Sequence, residues 1–261
     1  MVRTGGAMRY VARIVVMDRD PEPLLAAARE LHRDLAALRF AAPVHTVYDP
    51  LDYAWCGFRG YVEIHAPRRA RVLFLGMNPG PFGMAQTGVP FGEVRAARDW
   101  LGIDCAVRAP AREHPKRPIQ GFACPRSEIS GARLWGLFRD RFGTPAAFFR
   151  DHFVVNYCPL MFVEASGRNR TPDKLPAAER TPVLALCDRH LLAAVEHLRP
   201  RWLIGVGAFA TRAAQRATRP MPDHERPRTV QILHPSPANP AANRGWAQAA
   251  AAALLDAGVW D

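Results

Sequence analysis

Short apolar runs alternate with longer amphipathic segments along this chain. Four runs, bounded by polar residues or by glycine and proline, have the length of strands, and their apolar residues follow one another without strict alternation, as in strands covered on both faces. These runs span residues 71–76, 153–155, 201–206 and 229–233. Segments with helical periodicity lie before, between and after them, at residues 23–38, 131–141, 184–198, 208–218 and 247–255.

This order of elements predicts an α/β fold. Alternating strands and helices favour a three-layer αβα sandwich around a central, largely parallel four-stranded sheet with right-handed crossovers. The 261 residues are enough for one large domain. Because no repeat or linker interrupts the pattern, we expect a single domain over residues 21–261. Residues 1–20 are expected to form a basic N-terminal extension, disordered and outside the domain.

Polar residues stand where three of the predicted strands end. Asn78 follows the first strand, Asn156 the second and His234 the fourth. The carboxyl ends of parallel strands share one edge of a sheet, and ligands bind in the crevice outside that edge. The three side chains should therefore converge on one site. Ordinary turn chemistry is the alternative explanation for asparagine and histidine at these places.

The net charge of the chain indicates which class of partner it binds. There are 35 basic residues against 24 acidic ones, and the formal net charge is +11. Such a surplus attracts polyanions, so nucleic acid is the leading partner class, ahead of acidic membranes. All the basic residues except Lys116 and Lys174 are arginines, and biased coding DNA explains that excess equally well.

Cysteines and apolar runs indicate where the protein resides. The five cysteines, at positions 56, 105, 124, 158 and 187, show no metal-binding spacing, so reduced thiols in a cytosolic protein are expected. No run approaches the length of a membrane span. We expect a soluble protein without metal or other cofactor, cytoplasmic and nucleoid-associated in a prokaryote or nuclear in a eukaryote.

Several familiar chemistries lack their motifs here. The chain has no phosphate-binding GxxxxGK[ST] loop, no GxSxG, no HExxH and no paired carboxylates at a strand end. Pro79 and Pro81 remove backbone amides that a pyrophosphate would need. The candidate site residues that remain have neutral side chains. The Asn156 amide can form hydrogen bonds with the edge of a nucleobase, and Phe82 or Phe91 can stack on the base. This favours a base held in a pocket.

The stretch GMNPGPFGMAQTGVPFGEV at residues 76–94 closely resembles the first motif of the single-strand-selective monofunctional uracil-DNA glycosylases, a branch of the uracil-DNA glycosylase superfamily. The resemblance covers nearly all of residues 47–258 in the same order. It continues through RDWLGI (98–103), EHPKRP (113–118), SGARLWG (130–136), SGRNRTP (166–172) and HPSPANPAANRGW (234–246). It implies a monomeric enzyme that excises bases from single- and double-stranded DNA.

The resemblance also implies roles for the strand-end residues. Asn78 would position the water that attacks the anomeric carbon of a flipped nucleotide. His234 would donate a hydrogen bond to the uracil oxygen where negative charge develops. Asn156 would read the uracil edge and reject cytosine, and Phe91 would stack on the base.

Substrate breadth and reaction type follow from other positions. By resemblance, Met77, Gly80 and Phe82 would shape the pocket around the 5-position of the base. Gly80 lacks a side chain and so leaves room for water or a small oxidised group, which makes uracil, 5-hydroxymethyluracil and 5-formyluracil the expected substrates. Lyase chemistry needs an amine nucleophile. The two lysines lie in proline-flanked loops that follow no predicted strand, so a monofunctional enzyme is expected.

The proline-rich loop after His234 would, by resemblance, enter the duplex as a wedge. Its alternative is an ordinary loop that caps the last helix. Ala238 departs from the pattern, because vertebrate relatives carry an arginine there. The DNA-contacting residues implied by the resemblance are Ser130, Ser236, Pro237, Ala238, Asn239, Pro240, Asn243 and Arg244.

Two other functions remain open at this stage. One is a superfamily glycosylase with specificity shifted toward xanthine or hypoxanthine, which depends on pocket width. The other is a non-catalytic module that binds single-stranded DNA through arginine and phenylalanine residues. Only an enzyme needs Asn78 and His234.

Overall fold

Two sheets organise the computed structural model, which describes residues 19–261. The strands of that range are β1 (Val44–Tyr48), β2 (Val72–Gly76), β3 (His152–Asn156), β4 (Met161–Glu164), β5 (Asn169–Arg170), β6 (Trp202–Val206) and β7 (Arg228–Ile232). The main sheet is parallel throughout, in the order β3-β2-β6-β7. The smaller sheet is antiparallel, in the order β1-β4-β5.

Two groups of helices cover the main sheet. The α-helices of the described range are α1 (Glu22–Ala36), α2 (Pro50–Tyr53), α3 (Trp55–His65), α4 (Met84–Thr87), α5 (Ile129–Phe142), α6 (Pro145–Phe149), α7 (Ala177–Leu198), α8 (Ala208–Thr218) and α9 (Trp246–Asp256). In one group, α7 packs on α1 and α8, and α8 contacts β6. In the other, α5 packs on α6 and α9, which contact β3 and β7. The predicted α/β sandwich with a four-stranded parallel sheet is confirmed.

The centre of the sheet is apolar on both faces. All five residues of β2 are buried, and so are all five of β6, which explains why these strands lack an alternating pattern. One buried cluster runs from Leu24 near the start of α1 to Trp260 near the chain terminus. The predicted extension at residues 1–20 lies outside the described residues except for its last two positions.

The four predicted strands and five predicted helices are all present, and their ends lie within two residues of the prediction except that α7 begins seven residues earlier. The antiparallel sheet and the helices α2, α3, α4 and α6 were not predicted. Strand β1 is a short run with a polar centre, VHTVY, and β5 has only two residues. Two glycines interrupt the apolar period of α3. Such elements take their stability from tertiary packing, which a local pattern does not report.

The expectation of reduced thiols is wrong for two of the five cysteines. A disulfide joins Cys56, in α3, to Cys105, which is 49 residues further along the chain. The remaining cysteines, Cys124, Cys158 and Cys187, are free and buried. Residues 19–261 contain no helix long and apolar enough to cross a membrane. The same range holds no group of three or more histidine, cysteine, aspartate or glutamate residues placed to bind a metal ion.

Candidate active site

A cavity of about 410 Å³ opens beyond the carboxyl ends of the parallel strands. It is lined by the segments that follow β2 and β7 and by the last residue of β3, together with the start of α5 and strand β5. Ten of the residues singled out from the sequence line this cavity: Met77, Asn78, Gly80, Phe82, Phe91, Ser130, Asn156, His234, Ser236 and Pro237. The predicted convergence of the strand ends is therefore observed, and the roles of these residues remain predictions.

The amide of Asn78 is oriented by the chain beyond β3. Its Nδ2 donates a hydrogen bond to the carbonyl oxygen of Leu160 at 3.1 Å. This bond uses one of the two N–H groups and fixes the plane of the amide, whose acceptor atom for a hydrogen bond in the cavity is Oδ1. A carbonyl-type acceptor can hold a water molecule in position without removing its proton.

The imidazole of His234 is held in one tautomer. The backbone N–H of Ser236 donates to Nδ1 of His234 at 3.1 Å, so Nδ1 is unprotonated and Nε2 carries the hydrogen. Burial lowers the pKa of His234 below its ordinary value of 6.5, because desolvation disfavours the charged ring. Gly207, which has a φ of +91°, lets the backbone after β6 approach this side chain closely. The result is a neutral N–H donor.

Asn156 and Phe91 pack against the same bare backbone position, Gly76. Parallel pairing of β2 with β3 sets Gly76 beside Asn156, and a Cβ atom on Gly76 would overlap both the amide oxygen of Asn156 and the ring of Phe91. The Asn156 Nδ2 also donates to the sulfur of Met84 at 3.1 Å. A planar amide edge and an aromatic face thus lie side by side at the base of the cavity, which suits a flat heterocycle.

The backbone of Phe91 is strained, with a φ of +52°. An aromatic residue rarely adopts this left-handed conformation, which persists only where the surroundings impose it. The indole N–H of Trp135 donates to the Phe91 carbonyl oxygen at 3.1 Å. Gly131, in the first turns of α5, lets the helix pack directly on that carbonyl group. Helix α5 therefore fixes the ring that faces the cavity.

Phe82 lies at the cavity wall between two guanidinium groups. The Cζ atom of Arg126 is 4.0 Å from the ring centroid, and that of Arg117 is 5.6 Å from it. Arg126 is exposed and itself lines the cavity. A cation held by stacking at a cavity mouth is well placed to meet a phosphate group.

The expectation of a site built only from neutral groups is wrong, because Glu128 also lines the cavity. Burial raises the pKa of Glu128 to about 7, and the nearby Glu93 adds to the rise. The space beside Gly80, expected to be open, holds this carboxyl group. A lone acid in the loop before a helix gives no recognisable signal in the sequence.

The predicted wedge loop, residues 235–244, is folded on itself and tied to α5. The amide of Asn243 donates to the carbonyl oxygen of Pro237 at 2.9 Å. Arg133, from α5, donates to the carbonyl oxygen of Pro235 and to Oδ1 of Asn243, both at 2.9 Å. The predicted residues Ala238, Asn239, Pro240, Asn243 and Arg244 extend from the rim and do not line the cavity.

Sequence reasoning missed five residues of this region: Gly76, Arg126, Glu128, Arg133 and Asn169. Asn169 lines the cavity, and its Nδ2 donates to the carbonyl oxygen of Pro79 at 3.2 Å. Gly76, Arg133 and Asn169 lie within the segments at residues 76–94, 130–136 and 166–172, so the family resemblance contained a signal for these three.

The fold and the strand-end cavity define the class. The sequence model of the Uracil DNA glycosylase superfamily matches residues 63–256, and the chain belongs to that superfamily. Within it, the chain is a member of the single-strand selective monofunctional uracil-DNA glycosylase family. It is 49% identical to the protein of that name from Rattus norvegicus over 238 residues, 91% of this chain and 85% of the relative. The Bos taurus protein is 47% identical over 251 residues, 94% of this chain and 91% of the relative.

A solved structure supports the fold. The chain is similar to the crystal structure of wild-type Pedobacter heparinus SMUG2, with a TM-score of 0.61 and 16% sequence identity. The likeness covers 90% of this chain and 99% of that one. At this identity it concerns the fold alone.

Proposed function

We propose that this chain is a monofunctional DNA glycosylase. It hydrolyses the N-glycosidic bond of uracil, 5-hydroxymethyluracil and 5-formyluracil in single- and double-stranded DNA and so initiates base excision repair. Its similar relatives are named single-strand selective monofunctional uracil-DNA glycosylases. The observation that carries the proposal is the fixed neutral tautomer of His234 in the same cavity as the oriented amide of Asn78.

His234 and Asn78 act on different reactants in the proposed hydrolysis: His234 on the departing base and Asn78 on the attacking water. As the bond between N1 and C1′ breaks, its electron pair moves into the uracil ring and negative charge develops on the O2 atom. The His234 Nε2–H donates a hydrogen bond to that oxygen. The sugar becomes an oxocarbenium-like electrophile, and water held by the Asn78 Oδ1 adds to C1′. The proton that this water loses neutralises the departing uracil anion, so the products are the abasic sugar and uracil. An oriented donor of this kind contributes about 10²–10³ in rate.

The amide of Asn156 supplies base recognition. Its two functional groups offer a donor for the O4 atom of uracil and an acceptor for the N3 hydrogen. Cytosine presents an amine donor where uracil has O4, and so loses this pairing. Phe91, packed over Gly76 beside the amide, provides the stacking face.

Among residues 19–261 no lysine lines the cavity, and this supports hydrolysis without strand cleavage. Schiff-base formation needs a lysine or a terminal amine near C1′. Within residues 19–261, Lys116 and Lys174 are the only lysines, both are exposed, and neither lines the cavity. The product is therefore an intact strand that carries an abasic site.

A substrate panel tests the proposal. Purified protein is incubated with oligonucleotides that carry uracil, 5-hydroxymethyluracil, 5-formyluracil, hypoxanthine or xanthine, single- and double-stranded, and half of each sample is treated with alkali. We expect alkali-dependent cleavage at the three uracil-type bases. No cleavage at any uracil substrate would overturn the proposal, and cleavage of purine substrates alone would indicate shifted specificity. Strand breaks without alkali, in a preparation free of endonuclease, would contradict monofunctional chemistry.

A further inference from the structure

The carboxyl group of Glu128 lies directly against two glycines of the loop after β2. A Cβ atom on Gly80 would overlap Oε1 of Glu128, and one on Gly83 would overlap its Oε2. Both carboxyl oxygens are thus held beside bare backbone, and a side chain at either glycine would displace them. Since Glu128 also lines the cavity, it forms the polar part of the wall on the Gly80 side.

We infer that Glu128 is a specificity-determining residue: its carboxyl group is the hydrogen-bond partner for a polar substituent at the 5-position of the bound base. The inference rests on the proposed function, in which the Gly80 side of the cavity receives that position. Uracil itself carries only hydrogen there and makes no such bond.

The two protonation states of a carboxyl group select different substituents. A hydroxymethyl group both donates and accepts, so it pairs with the carboxylate and with the carboxylic acid. A formyl oxygen only accepts, so it needs the acid form as donor. Recognition of a formyl group by Glu128 therefore weakens when the proton is lost, whereas recognition of a hydroxymethyl group persists.

The surroundings of Glu128 place that proton loss in the neutral range. Burial and repulsion from Glu93 both raise the pKa of Glu128, to about 7. The other titratable or charged groups that line the same cavity are Arg126 and His234. A guanidinium group stays charged across this range, and burial lowers the pKa of His234 below its ordinary value of 6.5, which disfavours the charged ring. Glu93 faces α5 from the segment before that helix, and its Oε2 accepts a hydrogen bond from the Ala96 N–H at 2.9 Å.

The test measures single-turnover excision of uracil, 5-hydroxymethyluracil and 5-formyluracil from single-stranded oligonucleotides between pH 6 and pH 8. Uracil is the internal reference. In the unmodified enzyme, the rate for 5-formyluracil relative to uracil should fall by about 10-fold as the pH rises, which is the effect of one lost hydrogen bond. The ratio for 5-hydroxymethyluracil should change by less than about 3-fold.

Two substitutions of Glu128 distinguish recognition of the 5-substituent from a role in the common chemical step or in folding. In Glu128→Gln the amide is donor and acceptor at every pH, so the 5-formyluracil ratio should lose the pH dependence that the unmodified enzyme shows. Any acidity of the base itself affects both enzymes alike. In Glu128→Leu the 5-hydroxymethyluracil ratio should fall by about 10-fold at every pH. The 5-formyluracil ratio of this variant should stay, at every pH, at the low value that the unmodified enzyme reaches at pH 8. The double variant Glu128→Leu with Gly83→Ala should show the same two ratios as Glu128→Leu. Gly83→Ala alone should lower the 5-hydroxymethyluracil ratio, because the added methyl group displaces the Glu128 carboxyl group.

Three results would overturn the inference. One is a 5-formyluracil ratio that stays flat with pH in the unmodified enzyme. Another is the same pH profile in Glu128→Gln. The third is an equal loss of all three substrates in Glu128→Leu, which would place the carboxyl group in the common step or in folding. Absence of uracil release by the unmodified enzyme would instead overturn the proposed function, and this inference with it.

Discussion

The backbone N–H of Ser236 donates a hydrogen bond to Nδ1 of His234 at 3.1 Å, and this single contact decides the chemistry of the imidazole. It leaves the hydrogen on Nε2, so the ring is an uncharged donor. Burial, which lowers the pKa of His234, keeps the ring in that state at neutral pH. The side chain is thereby suited to stabilising a developing anion rather than to transferring a proton.

Replacing His234 with leucine should slow uracil excision by about 10²–10³ in single-turnover assays, because one donor to the developing oxyanion is lost. Binding of undamaged single-stranded DNA should change little. His224 offers a matched control, since its side chain is 80% exposed, and His224→Leu should keep the original rate. Equal rates for the two variants would remove His234 from the reaction.

Gly76→Ala should displace the Asn156 amide and the Phe91 ring, which are proposed to bind the base, while both proposed catalytic residues, Asn78 and His234, are kept. The added methyl group would overlap the Asn156 amide oxygen and the Phe91 ring, so both must move. We expect uracil excision to fall by about 100-fold or more, as a misplacement of about 1 Å does. Gly136→Ala, where nothing lies within 4 Å of the added group, should leave the rate intact. Circular dichroism checks that both variants fold, and an active Gly76→Ala enzyme would contradict the packing argument.

His65 should contribute to loss of stability in acid. Burial lowers its pKa to about 4 from the ordinary value of 6.5, so as pH falls the unfolded chain binds a proton first. The stability is therefore fully present above about pH 6.5 and is lost progressively toward about pH 4. His65→Gln keeps a donor for the Leu101 carbonyl oxygen, which His65 contacts at 2.7 Å, and cannot titrate.

Urea unfolding at neutral pH and near pH 4.5 measures this effect. Between these conditions the free energy of unfolding should fall less in His65→Gln than in the unmodified protein, by up to about 3 kcal/mol. The exposed His224 again serves as control, in His224→Gln. An unchanged pH dependence in His65→Gln would mean that His65 binds its proton with the same pKa in the folded and unfolded states.

Arg133 should matter more on duplex than on single-stranded DNA. Its two hydrogen bonds hold the loop of residues 235–244 against α5, and only a duplex requires that loop to act as a wedge. Losing charge-assisted bonds of this kind costs about 1.5–3 kcal/mol. Arg133→Ala should therefore lower excision from duplex DNA by about 10- to 100-fold and from single strands by much less. Arg139→Ala, which removes an exposed arginine from the same helix, is the control, and equal losses on both substrates would contradict a wedge role.

The strand-end argument predicted the placement of the central residues from the sequence alone. Asn78, Asn156 and His234 are more than 75 residues apart along the chain, yet all three line one cavity. The prediction works because parallel strands must end at one edge of their sheet. The same physical rule says nothing of Glu128, which follows no strand and gains its position only because Gly80 and Gly83 leave room for it.

The sequence also did not predict contacts between segments that are distant along the chain. The disulfide between Cys56 and Cys105 connects α3 to the loop that follows a π-helical turn at Ala96–Trp100. The spacing of the two cysteines in the sequence does not indicate that they lie close together. The tautomer of His234 could not be read from the sequence either, because it depends on the turn that brings the Ser236 N–H to Nδ1. The family resemblance indicated which residues form the site, whereas the folded backbone determines which of their atoms face the cavity.

Asn78→Ala tests the central claim most directly when base release and DNA binding are measured on the same preparation. The amide proposed to orient water is lost, while the arginines expected to meet phosphate are kept. We predict a fall of about 10²–10³ or more in single-turnover release of uracil from a single-stranded oligonucleotide, with the dissociation constant for that oligonucleotide unchanged within about 3-fold. Uracil release at the original rate by Asn78→Ala would contradict the account.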